Sequence, residues 1–328
     1  MWKKFIYLIA VIMCGFLLVA CSDTAQNAST KASDSQLRIV CTVFPQYDWV
    51  SQILGDQADN VDLTLLLDNG VDLHNYQPTA DDITKISSCD MFIYVGGESD
   101  GWVDDALAEA TNKDMVVINL LDALGDSIKE EKLIEGMESE EEEEKGETEV
   151  EYDEHVWLSL KNAAILCDAI KDALCQLDST HTETYEANAD SYVADLNALD
   201  NEYQQMVASA ARQTVVFGDR FPFRYLMDDY GIKYYAAFPG CSAETEASFE
   251  TIIFLAGKVD QRGLNSVMVI DGSDQTIAKT IIDNTAAKDQ QVLVMDSMQS
   301  VTAADVANGK NYRSIMQNNF QVLKEALN

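Results

Sequence analysis

Between Ser179 and Ala211 the chain runs without a proline or a glycine, and no other stretch limits the fold as tightly. Tyr185, Ala189, Tyr192, Leu196, Leu199, Tyr203 and Met206 recur at three- and four-residue intervals, which is the spacing of one apolar helical face. Ser179 or Thr180 is placed to cap its start. A helix of some thirty residues spans about 45 Å, more than a single small domain needs, so the expectation is a strut with a folded unit on either side. The segment before it, from Val156 to Leu177, carries the same helical spacing. His181 falls in the first turn beside Glu183 and reads as a solvent-facing residue rather than a ligand.

Both flanks alternate short apolar runs with amphipathic ones. On the N-terminal side, strands are expected over Leu37 to Pro45, where Pro45 ends the run, then Val61 to Leu67, MFIYVGG and MVVINL, with helices between them. On the C-terminal side, TVVFG, Lys233 to Ala237, Ser266 to Ile270 and QVLVMD read as strands, and a helix from about Tyr312 to Leu327 closes the chain. Such alternation predicts parallel βαβ units, hence an α/β protein of two (β/α) lobes joined by a long rigid helix.

Open parallel sheets place ligands in loops just beyond their strand ends, which draws attention to four residues. His74 follows the strand Val61 to Leu67, Asp219 stands at the end of TVVFG, and Asp271 ends VMVI, with Asp274 one short turn later. His155 is singled out differently: it ends an acidic run that includes five successive glutamates, Glu140 to Glu144, and immediately precedes the helical pattern. A run so charged cannot pack, so it is expected to be a solvated loop that concentrates cations near an imidazole. Only three histidines occur in the chain, His74, His155 and His181.

The net charge of −34 repels phosphate backbones and excludes nucleic acid as a partner. At the N-terminus, Lys3 and Lys4, the apolar run Phe5 to Ala20 and the sequence Leu18-Val19-Ala20-Cys21 look like a bacterial lipoprotein signal, in which Cys21 would carry the lipid. The mature protein is then extracytoplasmic and held to the membrane by that anchor, with the polar segment after Cys21 as a tether. Cys41, Cys89, Cys167, Cys175 and Cys241 remain; Cys167 and Cys175 lie about 12 Å apart along one helix, too far for a disulfide. With no CxxC and no Cys/His cluster in the sequence, these five read as mostly buried small hydrophobes.

Two runs, GVDLHNYQPTADDI (Gly70 to Ile83) and HVWLSLKNA (His155 to Ala163), resemble motifs of the metal-binding lipoproteins of zinc and manganese ABC importers, the ZnuA-like solute-binding proteins. The resemblance covers nearly the whole mature chain. It implies that His74 and His155 are ligands, that the metal lies in the cleft between the lobes, and that the third and fourth ligands come from the segments holding Asp219 and Asp271 or Asp274. GDRFPFRYL offers Asp219 where that family commonly has His or Glu, and the acidic loop lacks the histidines of zinc-binding members. The organisation expected is a signal segment over 1–20, a tether over 21–36, an N-terminal lobe over 37–158 with the acidic loop at 135–154, a helical linker over 159–211 and a C-terminal lobe over 212–328. The function implied is capture of Zn²⁺ or Mn²⁺ outside the cell by a monomer and delivery to an ABC permease. An adhesin, an acidic cation buffer and an extracellular metallohydrolase are the competing readings; no HExxH run supports the last.

Overall fold

A computed structural model describes residues 36–138, 151–242 and 246–328. The first lobe contains β1 (Leu37–Cys41), α1 (Phe44–Leu54), β2 (Val61–Leu65), α2 (Ala80–Ser88), β3 (Met91–Tyr94), α3 (Val103–Ala108), β4 (Val116–Asn119) and α4 (Leu120–Leu124). Two helices follow, α5 (Leu160–Leu177) and the long α6 (Thr182–Ser209). The second lobe contains β5 (Thr214–Phe221), α7 (Arg224–Tyr230), β6 (Lys233–Pro239), α8 (Phe249–Arg262), β7 (Ser266–Ile270), α9 (Thr276–Asp283), β8 (Gln291–Met295), α10 (Ala303–Ala307) and α11 (Tyr312–Ala326).

Each lobe holds a four-stranded parallel sheet, ordered β2-β1-β3-β4 in the first and β6-β5-β7-β8 in the second. The two orders are equivalent, and in each the direction of winding reverses beside the first strand, which opens a crevice at the strand ends. Helices cover parallel sheets on both faces, which is why β3 and, after Ser266, β7 are apolar and almost wholly buried. The expected α/β architecture of two lobes with one long helix is therefore present.

Several local expectations shift. Pro45 does not end a strand: β1 stops at Cys41, and Pro45 lies in the first turn of α1, where its missing N–H costs nothing and its fixed φ suits the helix. The long helix begins at Thr182, after a tighter turn over Ser179–His181. Its predicted apolar face is buried at all seven positions, from Tyr185 to Met206. Rather than bridging open solvent, α6 packs on α1, α5 and α11. The C-terminal helix returns to the first lobe: the Tyr312 N–H donates to Asp48 Oδ2 at 3.0 Å and its ring meets Trp49 edge-on. One apolar cluster thus runs through both lobes, while a second, smaller one lies between α8, α9 and the second sheet.

Strand β5 extends past TVVFG to Phe221, so Asp219 lies within it rather than at its end. Its pairing with β6 is interrupted between Phe217 and Arg220, so that Gly218 and Asp219 together stand opposite Ala237. Such a bulge re-aims side chains. Part of the acidic segment is also fixed: the Glu138 N–H donates to the Ala237 carbonyl and its carboxylate accepts from the Ser248 N–H, while Glu130 bridges to Tyr152. The glutamate run Glu140 to Glu144, like Cys21 and the signal and tether, lies outside the described residues. Among the described residues no helix is long and apolar enough to cross a membrane.

Candidate metal centre

His74 occupies a single helical turn, Leu73–Asn75, in the loop after β2. Asp72 starts that turn by accepting the His74 N–H at 3.1 Å, and its other oxygen pairs with Arg220 of β5 at 2.8 Å. The loop of the first lobe is thereby tied to the second. His155 begins another short turn, Val156–Leu158, directly before α5, and is fully buried. Its backbone N–H and its Nδ1 both point at Asp153 Oδ1, at 2.9 and 3.0 Å. The Asp153 carbonyl in turn accepts from Tyr225 at 3.0 Å.

The two imidazoles face each other with their Nε2 atoms 3.2 Å apart. With the His155 Nδ1–H committed to Asp153, its Nε2 carries the lone pair. In the tautomer that a metal requires of His74, the Nδ1–H meets Ser99 Oγ at 2.7 Å and Glu154 Oε2 at 3.6 Å. Glu154 is itself held by the Ser99 N–H at 2.9 Å and lies so close to Gly97, at φ +83°, that any side chain there would strike it. Burial, followed by the neighbouring His155, pushes His74 down to about 4. Burial acts to lower His155 as well, but the Asp153 hydrogen bond and the charges of Asp153, Glu154 and Asp72 outweigh it, so His155 is the more basic of the pair.

The structure brings His74 and His155 together but not with Asp219 or Asp271. Both aspartates line an adjoining cavity of about 440 Å³ with Asp72, Arg220, Asp274 and Gln299. Asp271 is engaged there: its Oδ1 accepts from the Ser297 N–H at 2.6 Å and from Ser297 Oγ at 2.9 Å, and its Oδ2 from Ser300 Oγ. Asp274 caps the start of α9 through the Thr276 N–H at 2.7 Å. Asp219 Oδ1 accepts from the Arg220 N–H at 2.8 Å, and its Oδ2 is buried without a hydrogen-bond partner. His181, read as solvent-facing, is part-exposed and paired with Asp178 at 2.6 Å.

What meets the histidines instead is Cys241: among the described residues, one ligand atom from each of His74, His155 and Cys241 lies within 4.8 Å of the other two. The reading of the five cysteines as mostly buried small hydrophobes fits Cys41, Cys89 and Cys167, which are buried, but Cys241 is only part-buried and stands beside the two histidines. Sequence spacing hides the cluster because its members are far apart in the chain. The usable signal was positional: β6 runs to Pro239 rather than Ala237, which puts Cys241 in the strand-end loop. Asp153, Glu154 and Gln299 were also missed. The Gln299 amide nitrogen lies 3.2 Å from both His155 Nε2 and Asp72 Oδ1. A second cavity, of about 260 Å³, reaches His74 and Cys241 through a wall of Glu98, Glu131, Glu151 and Glu154.

Paired parallel α/β lobes spanned by one long helix, with two facing imidazoles between them, one fully buried and one part-buried, define the class: a two-lobed solute-binding protein. The chain belongs to the ZnuA family, zinc-uptake complex component A, periplasmic, whose family model matches residues 39–326. It is 32% identical over 325 residues to the zinc-binding lipoprotein AdcA of Streptococcus pneumoniae serotype 4, covering 98% of this chain and 61% of that protein. The chain thus spans under two thirds of that relative's length. It is 27% identical over 330 residues to the high-affinity zinc uptake system protein ZnuA of Bacillus subtilis, covering 100% of this chain and 99% of the other. Among solved structures, the Zn(II)-bound ZnuA-like domain of S. pneumoniae AdcA superposes with a TM-score of 0.68 at 29% identity, over 89% of this chain and 99% of that one. The periplasmic zinc binding protein TroA of Treponema pallidum, at 22% identity and a TM-score of 0.70 over 89% of this chain and 99% of its own, shares the fold.

Proposed function

We propose that this chain is an extracytoplasmic solute-binding lipoprotein that captures zinc between its lobes and delivers it to an ABC-type permease. The observation that carries the reading is the pair of Nε2 atoms 3.2 Å apart, each ring having an acceptor at its Nδ1. Two ligands on one tetrahedral zinc, each at 2.0–2.1 Å, stand about 3.3 Å apart, so the rings are already spaced for a shared ion. Without a cation a single proton shared between the two Nε2 atoms satisfies the contact, and a bound cation takes the place of that proton. The names of the pneumococcal and Bacillus relatives support zinc over manganese.

His74 and His155 are the ligands in this reading, and Asp219 and Asp271 provide the negative wall of the adjoining cavity. The domain limits expected from the sequence, the lipid on Cys21 and the monomeric state belong to the same proposal. The chain acts on its cargo by binding and release, with no chemistry on the metal.

Competition against a chromophoric zinc chelator tests it. Wild-type protein should bind one zinc tightly, and His74→Ala and His155→Ala should each lose more than the roughly 10- to 100-fold that removal of a supporting residue costs. Wild-type affinity in either variant would remove that histidine from the site. Absence of tight binding in the wild-type protein would sink the reading as a whole.

A further inference from the structure

We propose that Cys241 Sγ is the third protein ligand, so that the cargo ion is held by two imidazoles and one thiolate, a donor set selecting zinc over manganese. The inference rests on the zinc-capture reading above and adds to it the residue that sets metal preference.

The first argument is placement. Sγ of Cys241 and the histidine nitrogens fall within 4.8 Å of one another. For a tetrahedral ion with Zn–S of about 2.3 Å and Zn–N of about 2.0–2.1 Å, the sulfur stands about 3.6 Å from each nitrogen. The approach needed is on the order of an ångström, within reach of a side-chain rotation and a small closing of the loop.

The second argument is delivery. After Pro239 the chain lies flush on the His155 ring at Gly240, where a Cβ would come within 2.8 Å of Cε1 and 3.0 Å of Nδ1. Only glycine lets the backbone approach the imidazole so closely, and the next residue is the cysteine. Cys241 then lies beside the first-lobe segments that hold the histidines, its N–H near the Glu131 carboxylate and its sulfur near the Glu154 N–H.

The third argument concerns Asp271 and Asp72. Asp271 already accepts three hydrogen bonds from Ser297 and Ser300. Asp72, whose Oδ1 lies 3.9 Å from His74 Nε2, is paired through Oδ2 with the Arg220 guanidinium. That fixed positive charge on the second lobe offsets this carboxylate, whereas the charges around the Cys241 thiol are the carboxylates of Glu131, Glu154 and Asp153, which together with burial hold its proton in place until a cation arrives. On binding, the S–H bond is replaced by an S–metal bond and one proton leaves to solvent. Imidazole with thiolate suits zinc and disfavours manganese, which prefers oxygen donors.

The test uses the full-length protein loaded with Co²⁺, whose thiolate complexes show a near-ultraviolet charge-transfer band. The wild type should show that band, and Cys241→Ser should lose it together with about tenfold or more of its zinc affinity, while Mn²⁺ should fail to displace zinc from the wild type. A second measurement needs no variant: saturating zinc should slow alkylation of Cys241, read by peptide mass spectrometry, and leave the part-exposed Cys175 unchanged as internal control. One tightly bound Co²⁺ without the band, or zinc that leaves Cys241 alkylation unaltered, overturns the thiolate ligand and leaves zinc capture standing. A wild type that binds neither Co²⁺ nor zinc overturns the capture reading instead.

Discussion

At the scale of single residues, the candidate metal centre is shaped by side chains outside the proposed ligand set. Asp153 holds the His155 ring by its Nδ1 and its backbone N–H, which fixes both the tautomer and the direction of Nε2. Asp153→Ala should therefore weaken zinc binding by about 10- to 100-fold with the fold intact, measured by chelator competition alongside circular dichroism. An unchanged affinity would mean that packing alone orients the ring. A second buried carboxyl, Asp100, serves the fold: its Oδ2 accepts the Val95 and Gly96 N–H groups at 2.9 Å, and its Oδ1 has no hydrogen-bond partner. Burial, with Glu154 nearby, pushes it up to about 7. In the unfolded chain an aspartate ionises near pH 3.9, so between about pH 4 and 7 the folded state holds a proton that the unfolded state has lost. The stability tied to this group is complete below about pH 4 and declines as pH rises toward 7. Asp100→Asn abolishes the titration, so relative to the wild type it should gain stability between pH 5 and pH 8 in urea unfolding. A difference between the two proteins that is constant across those pH values would rule this out.

At the scale of elements, the long helix owes its place to one apolar face. Leu196, completely buried near its middle, is among the residues joining α6 to the common core. Leu196→Ala should cost about 2–5 kcal/mol, read from the shift of the urea midpoint at constant slope. A loss below about 1 kcal/mol would show that the helix is held by its ends rather than its face. The seven apolar positions of this helix were legible because helical periodicity is a local property. The bulge in β5 was not: it arises where Gly218 packs against the backbone of Ala278 on α9, a contact between distant segments. Pro45 was misread for a related reason, since proline ends a strand and begins a helix with equal ease.

At the scale of the whole molecule, 56 acidic residues against 22 basic ones create a field that draws cations in. The centre itself opens toward a glutamate-lined cavity. Because the field acts on the approaching ion and the ligands act on the bound one, salt should slow association and leave dissociation nearly untouched. The Debye length falls from about 30 Å at 0.01 M to about 8 Å at 0.15 M ionic strength, so stopped-flow zinc binding should slow markedly across that range. A rate of association independent of salt would confine the role of the charge to solubility.

The sequence by itself determined the architecture and two residues of the candidate site. Strand and helix periods are set by residues a few positions apart, and the runs around His74 and His155 could be recognised as they stand. Which other groups meet those histidines was decided by tertiary structure alone. Cys241 reaches them because β6 ends at Pro239 and Gly240 lies against the His155 ring, while Asp271 is drawn to Ser297 and Ser300 and Arg220 to Asp72. Each of these contacts joins segments separated in the chain, and the distance between them depends on sheet order and packing, which no local pattern of residues encodes.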